Sequence, residues 1–357
     1  MTLCAVLPVA TRETKMAMFG RNARSLRTWF QAAALLFLVL PFAPAQSLAD
    51  DKLSLRLDWI PNGSHAPFFL AEQKGWFRKA GLDVTIEDGT GSVVTVQLVG
   101  AGQFDVGHAN LSSLAIARGK GLPVISIAGF VRKSDMGVLV PAGSGWRTRK
   151  DLEGRKVAFT AGSLEGPFID TFFGASRGKV ELLSVDAAAK VSTYVSGSAD
   201  AVVSSVPYVL PLVAAKRPSD GILFADSGLD LPGFGLFTTA STLTAKREAI
   251  KKLTNVITSA WVYVLDGHVD EAVDAIMKSR PQLSLNAAVL KNQVGQFEGY
   301  FYTEATRGRP FGVQSDVDWD RTVKVMENAG VLPRGSKPSD YFTNDLIDPA
   351  YFQTILR

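Results

Sequence analysis

Four loops of this chain combine glycine with side chains that hydrogen-bond or carry charge. They span residues 58–65, 88–92, 108–110 and 160–166. Backbone amides at the start of a helix favour an anionic or hydrogen-bond-accepting ligand group, and glycine lets the backbone approach that group closely. Any one of these loops is more typical of an ordinary helix cap or turn. If they converge on one cleft, the four together predict a binding site for a small solute.

Two side chains of the first loop are candidate ligand contacts. Trp59 offers a flat face to a ring or an alkyl chain, or it packs locally beside Pro61. His65 either hydrogen-bonds a ligand or serves only as a helix cap. His108 ends a predicted strand and is interpreted as structural, and His268 lies in a predicted surface turn. The sequence therefore leaves Trp59 and His65 open between a binding role and a structural one.

Signatures of enzymatic catalysis are weak. The chain has no His-Glu-x-x-His motif and no Walker loop, and Gly89-Thr90-Gly91 lacks the third glycine of a dinucleotide fingerprint. Carboxylates fall in the candidate loops at Asp58, Asp88 and Glu165, but nothing pairs them as acid and base. Three scattered histidines and a single cysteine argue against a zinc site. We expect a binding protein with no metal and no cofactor rather than an enzyme.

Strand-like and helix-like runs alternate in two successive sets, which predicts βαβ units and a parallel sheet in each. In the first set, the predicted strands are 53–60, 82–87, 104–108 and 123–130, and the predicted helices are 66–80, 92–100 and 111–117. In the second set, the predicted strands are 137–140, 156–159, 180–185, 201–206 and 222–225, and the predicted helices are 164–173, 187–194 and 208–215. Ligands of such sheets lie beyond the carboxyl ends of the strands, where the four loops are.

A strand at 236–239 is predicted to return the chain to the first lobe. It is followed by helices, the first capped by Thr244 and carrying an apolar stripe from Ile250 to Val264, the next carrying Val273 and Ile276, and two more at 285–302 and 316–329. We therefore predict a discontinuous lobe I, residues 50–138 and 235–357, and a lobe II, residues 139–234. The two crossings, near 136–140 and 232–238, form a predicted hinge.

Residues 1–49 are typical of a secretory signal. Arg21, Arg24 and Arg27 precede an apolar run at 30–40, which is shorter than the roughly 20 residues that span a bilayer. Small residues then predict cleavage near Ala45 or Ala49. The only cysteine, Cys4, lies before the apolar run and would be lost on cleavage. We expect an exported, soluble, monomeric protein of the periplasm without disulfides.

The basic character of the chain belongs to this leader. Of 38 Lys and Arg and 34 Asp and Glu, five basic and one acidic residue lie in 1–49, so the remainder is electrically balanced. A balanced chain does not favour nucleic acid as a partner. With 46% hydrophobic residues, the chain is also too apolar for intrinsic disorder.

Three stretches resemble one known superfamily. Residues 57–65, Leu-Asp-Trp-Ile-Pro-Asn-Gly-Ser-His, resemble the opening of periplasmic binding proteins that serve thiamine-pyrimidine importers. Residues 75–84 and 104–107 are similar to the broader superfamily, which includes sulfonate, taurine and nitrate binders, and 151–158 resemble its passage into the second lobe. The resemblance implies a type II periplasmic binding protein of two α/β lobes with a two-segment hinge. It also implies delivery of the ligand to an ABC permease and its ATPase at the inner membrane.

Carried over to this sequence, the resemblance implies a set of ligand-binding residues from both lobes. They are Trp59, Asn62, His65, Ser92 and Asn110 in the first lobe, and Ser163, Leu164, Glu165 and Tyr208 in the second. One departure concerns residues 203–207, Val-Ser-Ser-Val-Pro, which lack the tryptophan or acid of pyrimidine and sulfonate binders. An acid there would pair with an aminopyrimidine, so Glu165 would have to substitute.

The expected ligand is a thiamine-precursor pyrimidine or a related heterocycle. The alternatives are an alkyl or aryl sulfonate, taurine, nitrate or a carboxylate, which the glycine- and serine-rich helix starts favour. An exported enzyme acting on a small heterocycle is an alternative of another class, as is a sensory or scaffold protein without import. A fungal branch of the fold makes the pyrimidine with a cysteine-rich motif, which a chain without cysteine beyond its leader does not share.

Overall fold

The strands form two separate five-stranded sheets. The computed structural model describes residues 51–351, so the predicted leader and its cleavage sites lie outside the described residues. The strands of the first sheet are β1 Asp51–Arg56, β2 Leu82–Glu87, β3 Val106–Asn110, β4 Val124–Gly129 and β10 Phe234–Thr239, in the spatial order β2-β1-β3-β10-β4. Those of the second are β5 Met136–Pro141, β6 Lys156–Phe159, β7 Glu181–Ser184, β8 Ala201–Ser205 and β9 Ser219–Leu223, in the order β7-β6-β8-β5-β9.

Both sheets are mixed, which corrects the prediction of parallel sheets. In the first, β1 pairs with β2 and β3 in parallel, but β10 runs antiparallel to β3 and β4. In the second, β6 pairs with β7 and β8 in parallel, but β5 runs antiparallel to β8 and β9. The antiparallel strands are the two that follow the crossings between the sheets. Periodicity gives no direction for a strand, so the sequence does not show this reversal.

Twelve α-helices accompany the strands in the described residues. They are α1 Ala66–Gln73, α2 Trp76–Lys79, α3 Ser92–Gly100, α4 Leu111–Gly119, α5 Ile169–Phe173, α6 Lys190–Val195, α7 Val206–Val213, α8 Ala240–Ala245, α9 Arg247–Leu265, α10 Val269–Ser279, α11 Ala287–Glu298 and α12 Asp316–Asn328. None of the helices within 51–351 is long and apolar enough to cross a membrane. Helix α11 packs against α7, which connects the part of the chain beyond β10 to the second sheet.

Some predicted elements are shorter or divided. The helix predicted over 66–80 is two helices, because Gly75 adopts a left-handed φ of 69° between them. The helix predicted at 164–173 contains only the five residues of α5 after a 3-10 turn, Gly166–Phe168. Thr244 does not cap the long helix: it lies inside α8, and α9 begins after Lys246. The predicted stripe of α9 is confirmed, since Ile250, Leu253, Ile257, Trp261 and Val264 are fully buried.

The predicted lobe boundaries, 138/139 and 234/235, fall inside β5 and β10 respectively. The chain enters the second sheet with β5 and returns to the first with β10. The chain runs from β1 and β6 into two of the candidate loops, 58–65 and 160–166, another, 108–110, forms the end of β3, and β8 leads into α7. This arrangement brings loops from both sheets to one place, and the hinge itself remains a prediction.

Candidate functional site

A cavity of about 300 Å³ lies between the two sheets, and we call it the site cavity. Its wall includes residues that follow β1 and β6, residues at the end of β8, and single residues from β10 and α11. The lining residues are Asp58, Trp59, Asn62, Ser64, Ser163, Leu164, Lys190, Ser204, Ser205, Tyr208, Phe234 and Phe297. Aromatic rings and a few polar groups drawn from separate elements are typical of a small-molecule site.

Five of the nine sequence-predicted residues line the site cavity. They are Trp59, Asn62, Ser163, Leu164 and Tyr208. Asn62 follows the first sheet and Ser163 follows β6 of the second, so the two face the same space from opposite sides. The other four, His65, Ser92, Asn110 and Glu165, are buried but do not line this cavity. The structure thus brings predicted residues from both sheets to the same cavity.

Trp59 joins the two walls directly. Its Nε1–H donates to Tyr208 Oη over 2.9 Å, and the two rings meet edge to face at 6.3 Å between centroids. Burial raises the pKa of Tyr208 to about 12, so its hydroxyl remains protonated. Gln293 adds a second link, because its Nε2 donates to the Tyr208 carbonyl while its Oε1 accepts from Gly63 N.

Lys190 is a cavity residue that sequence reasoning missed. Its ammonium lies 4.8 Å from the centroid of the Trp59 ring and pairs with Glu165 Oε1 at 2.5 Å. Both side chains are almost fully buried. A lysine as the first residue of a helix opposes the helix dipole, but nothing in the sequence alone places this lysine beside the cavity.

Glu165 is therefore not a free acid for the ligand. Oε1 accepts from Lys190 Nζ and from Thr160 N, while Oε2 is buried without a hydrogen-bond partner among the described residues. Moving this carboxylate away from Lys190 to bind a ligand would cost free energy, because breaking the ion pair leaves an unpaired buried charge. The expectation that Glu165 substitutes for the acid missing at 203–207 is weakened by this pairing.

Asp58 holds two histidines that lie far apart in the sequence. Its Oδ1 accepts from His65 Nε2 at 2.9 Å and from His108 Nδ1 at 2.8 Å. Burial alone would raise the pKa of Asp58, but the hydrogen bonds from His108 and His65 hold it below the usual range. Burial lowers the pKa of His108. The carboxylate is thus kept ionised by two imidazole N–H groups.

These three residues are the candidate metal ligands within 51–351. One ligand atom from each lies within 4.8 Å of the others. The histidines are therefore less scattered than the sequence suggested. His65 Nε2 and His108 Nδ1 already donate to the carboxylate, however, and His65 Nδ1 accepts from Asn62 N at 3.3 Å. The hydrogen bonds satisfy the cluster without an ion, apart from His108 Nε2, which has no partner among the described residues.

Three predicted residues shape the backbone around the cavity. Asn62 caps the turn at Gly63–His65 by accepting from Ser64 N, and Asn110 caps α4 by accepting from Ser112 N and Ser113 N. Ser92 Oγ accepts from Asn110 N, which connects the starts of α3 and α4. The structural role of these side chains is thus established by the geometry. Their role in binding remains a prediction, and Asn110 Nδ2 is buried without a partner in the described part of the chain.

Glycines let the loops of the two sheets touch beside the cavity. Gly91 has a φ of 155°, and a Cβ at that position would lie 2.2 Å from the Gly162 carbonyl oxygen. Gly91 precedes α3 on the first sheet, whereas Gly162 follows β6 on the second. The glycines thus permit a close approach between the two loops, whereas the expected approach of their backbone to a ligand remains a prediction.

Known proteins share this architecture. The NMT1/THI5-like family profile matches residues 62–271. The formylaminopyrimidine-binding protein of Halalkalibacterium halodurans is 31% identical over 333 residues, which cover 88% of this chain and 98% of its own length. A 4-amino-5-hydroxymethyl-2-methylpyrimidine phosphate synthase of Saccharomyces cerevisiae is 34% identical over only 113 residues, 31% of this chain and 33% of that protein.

The solved structure of the alkanesulfonate-binding protein SsuA from Xanthomonas axonopodis pv. citri superposes with a TM-score of 0.62. The superposition covers 82% of this chain and 98% of SsuA at 16% sequence identity. The predicted periplasmic-binding-protein fold is thereby confirmed. The family profile spans more than half of the chain, and the bacterial relative matches it nearly from end to end. This chain accordingly belongs to the NMT1/THI5-like family.

Proposed function

We propose that this protein is the solute-binding component of an ABC importer and that it captures a thiamine-precursor pyrimidine or a related heterocycle. The observation that carries the proposal is the site cavity, whose wall comes from both sheets. The wall combines aromatic rings with a few polar groups, which suits a small heterocycle. Trp59 and Phe234 in the wall can contact the faces of such a ring.

The bacterial relative supports a pyrimidine ligand. It is named for binding formylaminopyrimidine, and it matches this chain over almost the full length of both. Capture would occur by closure of the two lobes, because a ligand that contacts both walls stabilises the arrangement in which the walls meet. The permease and ATPase partners, the periplasmic location and the monomeric state belong to the same proposal.

Lys190 favours a second candidate, a ligand with a sulfonate or carboxylate group. Its ammonium borders the site cavity, where it could pair with an anion. Glu165 already neutralises that ammonium within the wall. An anionic ligand would have to compete with this buried pair, so we rank the uncharged or amino-bearing heterocycle first.

Nothing in the described residues favours turnover. Residues 174–178, Gly-Ala-Ser-Arg-Gly, have the spacing of a nucleophile elbow, but they belong to a 3-10 helix, Gly174–Lys179. Ser176 Oγ donates to Glu153 Oε1 at 2.8 Å and not to a histidine. The synthase similarity covers only about a third of either chain. We therefore expect the ligand to be released unaltered.

A thermal-shift screen tests the proposed function. The panel contains formylaminopyrimidine, 4-amino-5-hydroxymethyl-2-methylpyrimidine, thiamine, taurine, an alkanesulfonate and nitrate. A ligand at a hundred times its Kd stabilises the folded protein by about 2.7 kcal/mol, so an aminopyrimidine should raise Tm clearly. A rise with the sulfonate or taurine alone would favour the second candidate. Chemical conversion of a pyrimidine, followed by mass spectrometry, would contradict the transport role.

A further inference from the structure

Asp135 is a buried aspartate for which the fold supplies no counterpart. It directly precedes β5, where the chain passes into the second sheet, and its side chain is fully buried. Neither carboxylate oxygen has a hydrogen-bond partner among residues 51–351. Buried polar groups are nearly always hydrogen-bonded, so a carboxyl group left without partners requires an explanation.

Asp135 does not line the site cavity in this structure, but it lies directly behind Ser205, which does. Met136 pairs with Ser205 across β5 and β8, and Val206 N donates to the Asp135 carbonyl at 2.8 Å. Ser205 lines the cavity, and its hydroxyl is close enough to Asp135 to lower the pKa of that carboxyl group, although it forms no regular hydrogen bond with any of the described residues. On the other side lies Gly233, where a Cβ would come within 2.9 Å of Asp135 Oδ1. A side chain at position 233 would crowd the carboxyl group, so glycine leaves room for it behind the cavity wall.

We propose that Asp135, with the hydroxyl of Ser205, recognises the amino edge of an aminopyrimidine ligand. This inference rests on the proposed function and names the group that would select the ligand. Asp135 would supply, from the start of β5, the acid that is absent from the adjacent end of β8. Glu165 is a poorer choice, because its carboxylate compensates Lys190.

The chemistry of the two partners is complementary. An aminopyrimidine presents an amino N–H donor beside a ring nitrogen that accepts a hydrogen bond. A protonated carboxyl group presents an O–H donor beside a carbonyl acceptor, so it can satisfy both atoms at once. A side-chain amide pairs with the amino edge of adenine in the same two-point manner. The unpartnered oxygens of Asp135 would gain their missing hydrogen bonds from the ligand.

The surroundings of Asp135 favour its protonated form near neutral pH. Burial raises its pKa to about 7, the Ser205 hydroxyl opposes the rise, and the Asp58 charge adds to it. Tyr300 is the other titratable group coupled to Asp135, and the pKa of that tyrosine is raised mainly by its own burial. Two basic residues precede Asp135 but bond elsewhere: Lys133 Nζ donates to Gly299 O and Arg132 Nε to Gly129 O.

Binding should therefore take up a proton when the solution is more alkaline than the pKa of Asp135. The bound carboxyl group must carry the proton that is donated to the ring nitrogen. Above pH 7, where the free group is increasingly ionised, affinity should fall by up to about tenfold per pH unit. Between pH 6 and 7 the dependence should be shallow.

The test is calorimetric titration with 4-amino-5-hydroxymethyl-2-methylpyrimidine from pH 6 to 9. It uses the wild type, Asp135→Ala, Asp135→Asn and the exposed control Asp186→Asn. We expect Asp135→Ala to weaken binding at least about tenfold at pH 6, the scale of losing two hydrogen bonds between uncharged groups. Asp135→Asn should retain most of that affinity, because an amide mimics the protonated acid, and should lose the pH dependence. Asp186→Asn should behave as the wild type. Circular dichroism melts identify any variant that fails to fold.

The outcomes separate the two proposals. If the wild type binds the pyrimidine but Asp135→Ala binds it equally well, the role of Asp135 is wrong and the proposed function stands. The same conclusion follows if Asp135→Asn keeps the wild-type pH profile, since the titrating group is then another one. If the wild type binds no aminopyrimidine at any pH, the proposed pyrimidine ligand is wrong, and the role of Asp135 fails with it.

Discussion

Asp58 shows how one carboxylate can organise residues that the sequence separates. It follows the first strand, His65 directly precedes α1 in the same loop, and His108 lies on β3. Parallel pairing of β1 with β3 brings the two loops to the same edge of the sheet. The carboxylate is then positioned by two imidazoles behind the cavity wall. The two histidines, which do not line the site cavity, thus fix the loop that carries Asp58, Trp59 and Asn62.

Trp59 is the residue with the clearest expected effect on affinity. Trp59→Ala removes an aromatic face from the site cavity and the donor to Tyr208 Oη, so we expect a loss of about 1–3 kcal/mol in binding free energy by calorimetry. Tyr208→Phe removes only the hydroxyl and should cost less, about 0.5–1.5 kcal/mol. Trp146→Ala is the matched control, because Trp146 packs under Arg155 and does not line the cavity. Unchanged affinity in Trp59→Ala would remove this tryptophan from the site.

The sequence identified wall residues where local chemistry was enough. Trp59 and Asn62 belong to one loop whose composition indicates either ligand contacts or a helix cap. In the structure, Asn62 acts as a cap. Lys190 and Asp135 could not be found in this way. Their position follows from tertiary pairing: Lys190 meets Glu165 across 25 residues, and Asp135 meets Ser205 only after β5 reverses. A single sequence contains no signal for such pairings.

At the scale of elements, the hydrophobic periods predicted most strands and the long helices. The strand boundaries shifted where a loop residue is as apolar as a strand residue: β1 ends at Arg56 although residues 57–60 continue the apolar pattern. The second half of the helix predicted at 164–173 is indeed helical. Its first half forms only a 3-10 turn, because Pro167 and two glycines interrupt the pattern there. Strand direction remained undetermined because side-chain alternation is identical in parallel and antiparallel pairing.

The contact between the loops at Gly91 and Gly162 gives an element-scale prediction. Gly91→Ala places a Cβ 2.2 Å from the Gly162 carbonyl oxygen, so the loops can no longer meet. If closure of these loops accompanies capture, we expect affinity for 4-amino-5-hydroxymethyl-2-methylpyrimidine to fall at least tenfold, about 1.4 kcal/mol, by calorimetry.

Gly102→Ala is the matched control for this variant. Gly102 also has a positive φ, of 76°, but a Cβ there would meet no atom within 4 Å. Both variants therefore carry the backbone strain of a non-glycine residue, and only Gly91→Ala carries the clash. Equal affinity in the two variants would show that the loop contact is not required for binding.

At the scale of the whole molecule, two chain connections, apolar packing and a few polar side-chain links join the sheets. The connections lead into the antiparallel strands β5 and β10, and the side-chain links include Trp59 to Tyr208 and Gln293 to both Gly63 and Tyr208. Few covalent connections and small polar contacts suit lobes that separate and close, because such contacts are replaced by water at little cost. Closure of the lobes around a solute remains a prediction.

Small-angle X-ray scattering tests closure directly. A compact chain of about 300 residues has a radius of gyration of about 19 Å, and a form with separated lobes is larger. We expect saturating 4-amino-5-hydroxymethyl-2-methylpyrimidine to lower the radius of gyration of the wild type, because a ligand held by both walls shifts the population toward the closed form. Gly91→Ala should contract less at the same ligand occupancy, whereas Gly102→Ala should contract as the wild type does. Superimposable curves with and without ligand, at an occupancy verified by calorimetry, would show that binding occurs within one fixed arrangement of the lobes.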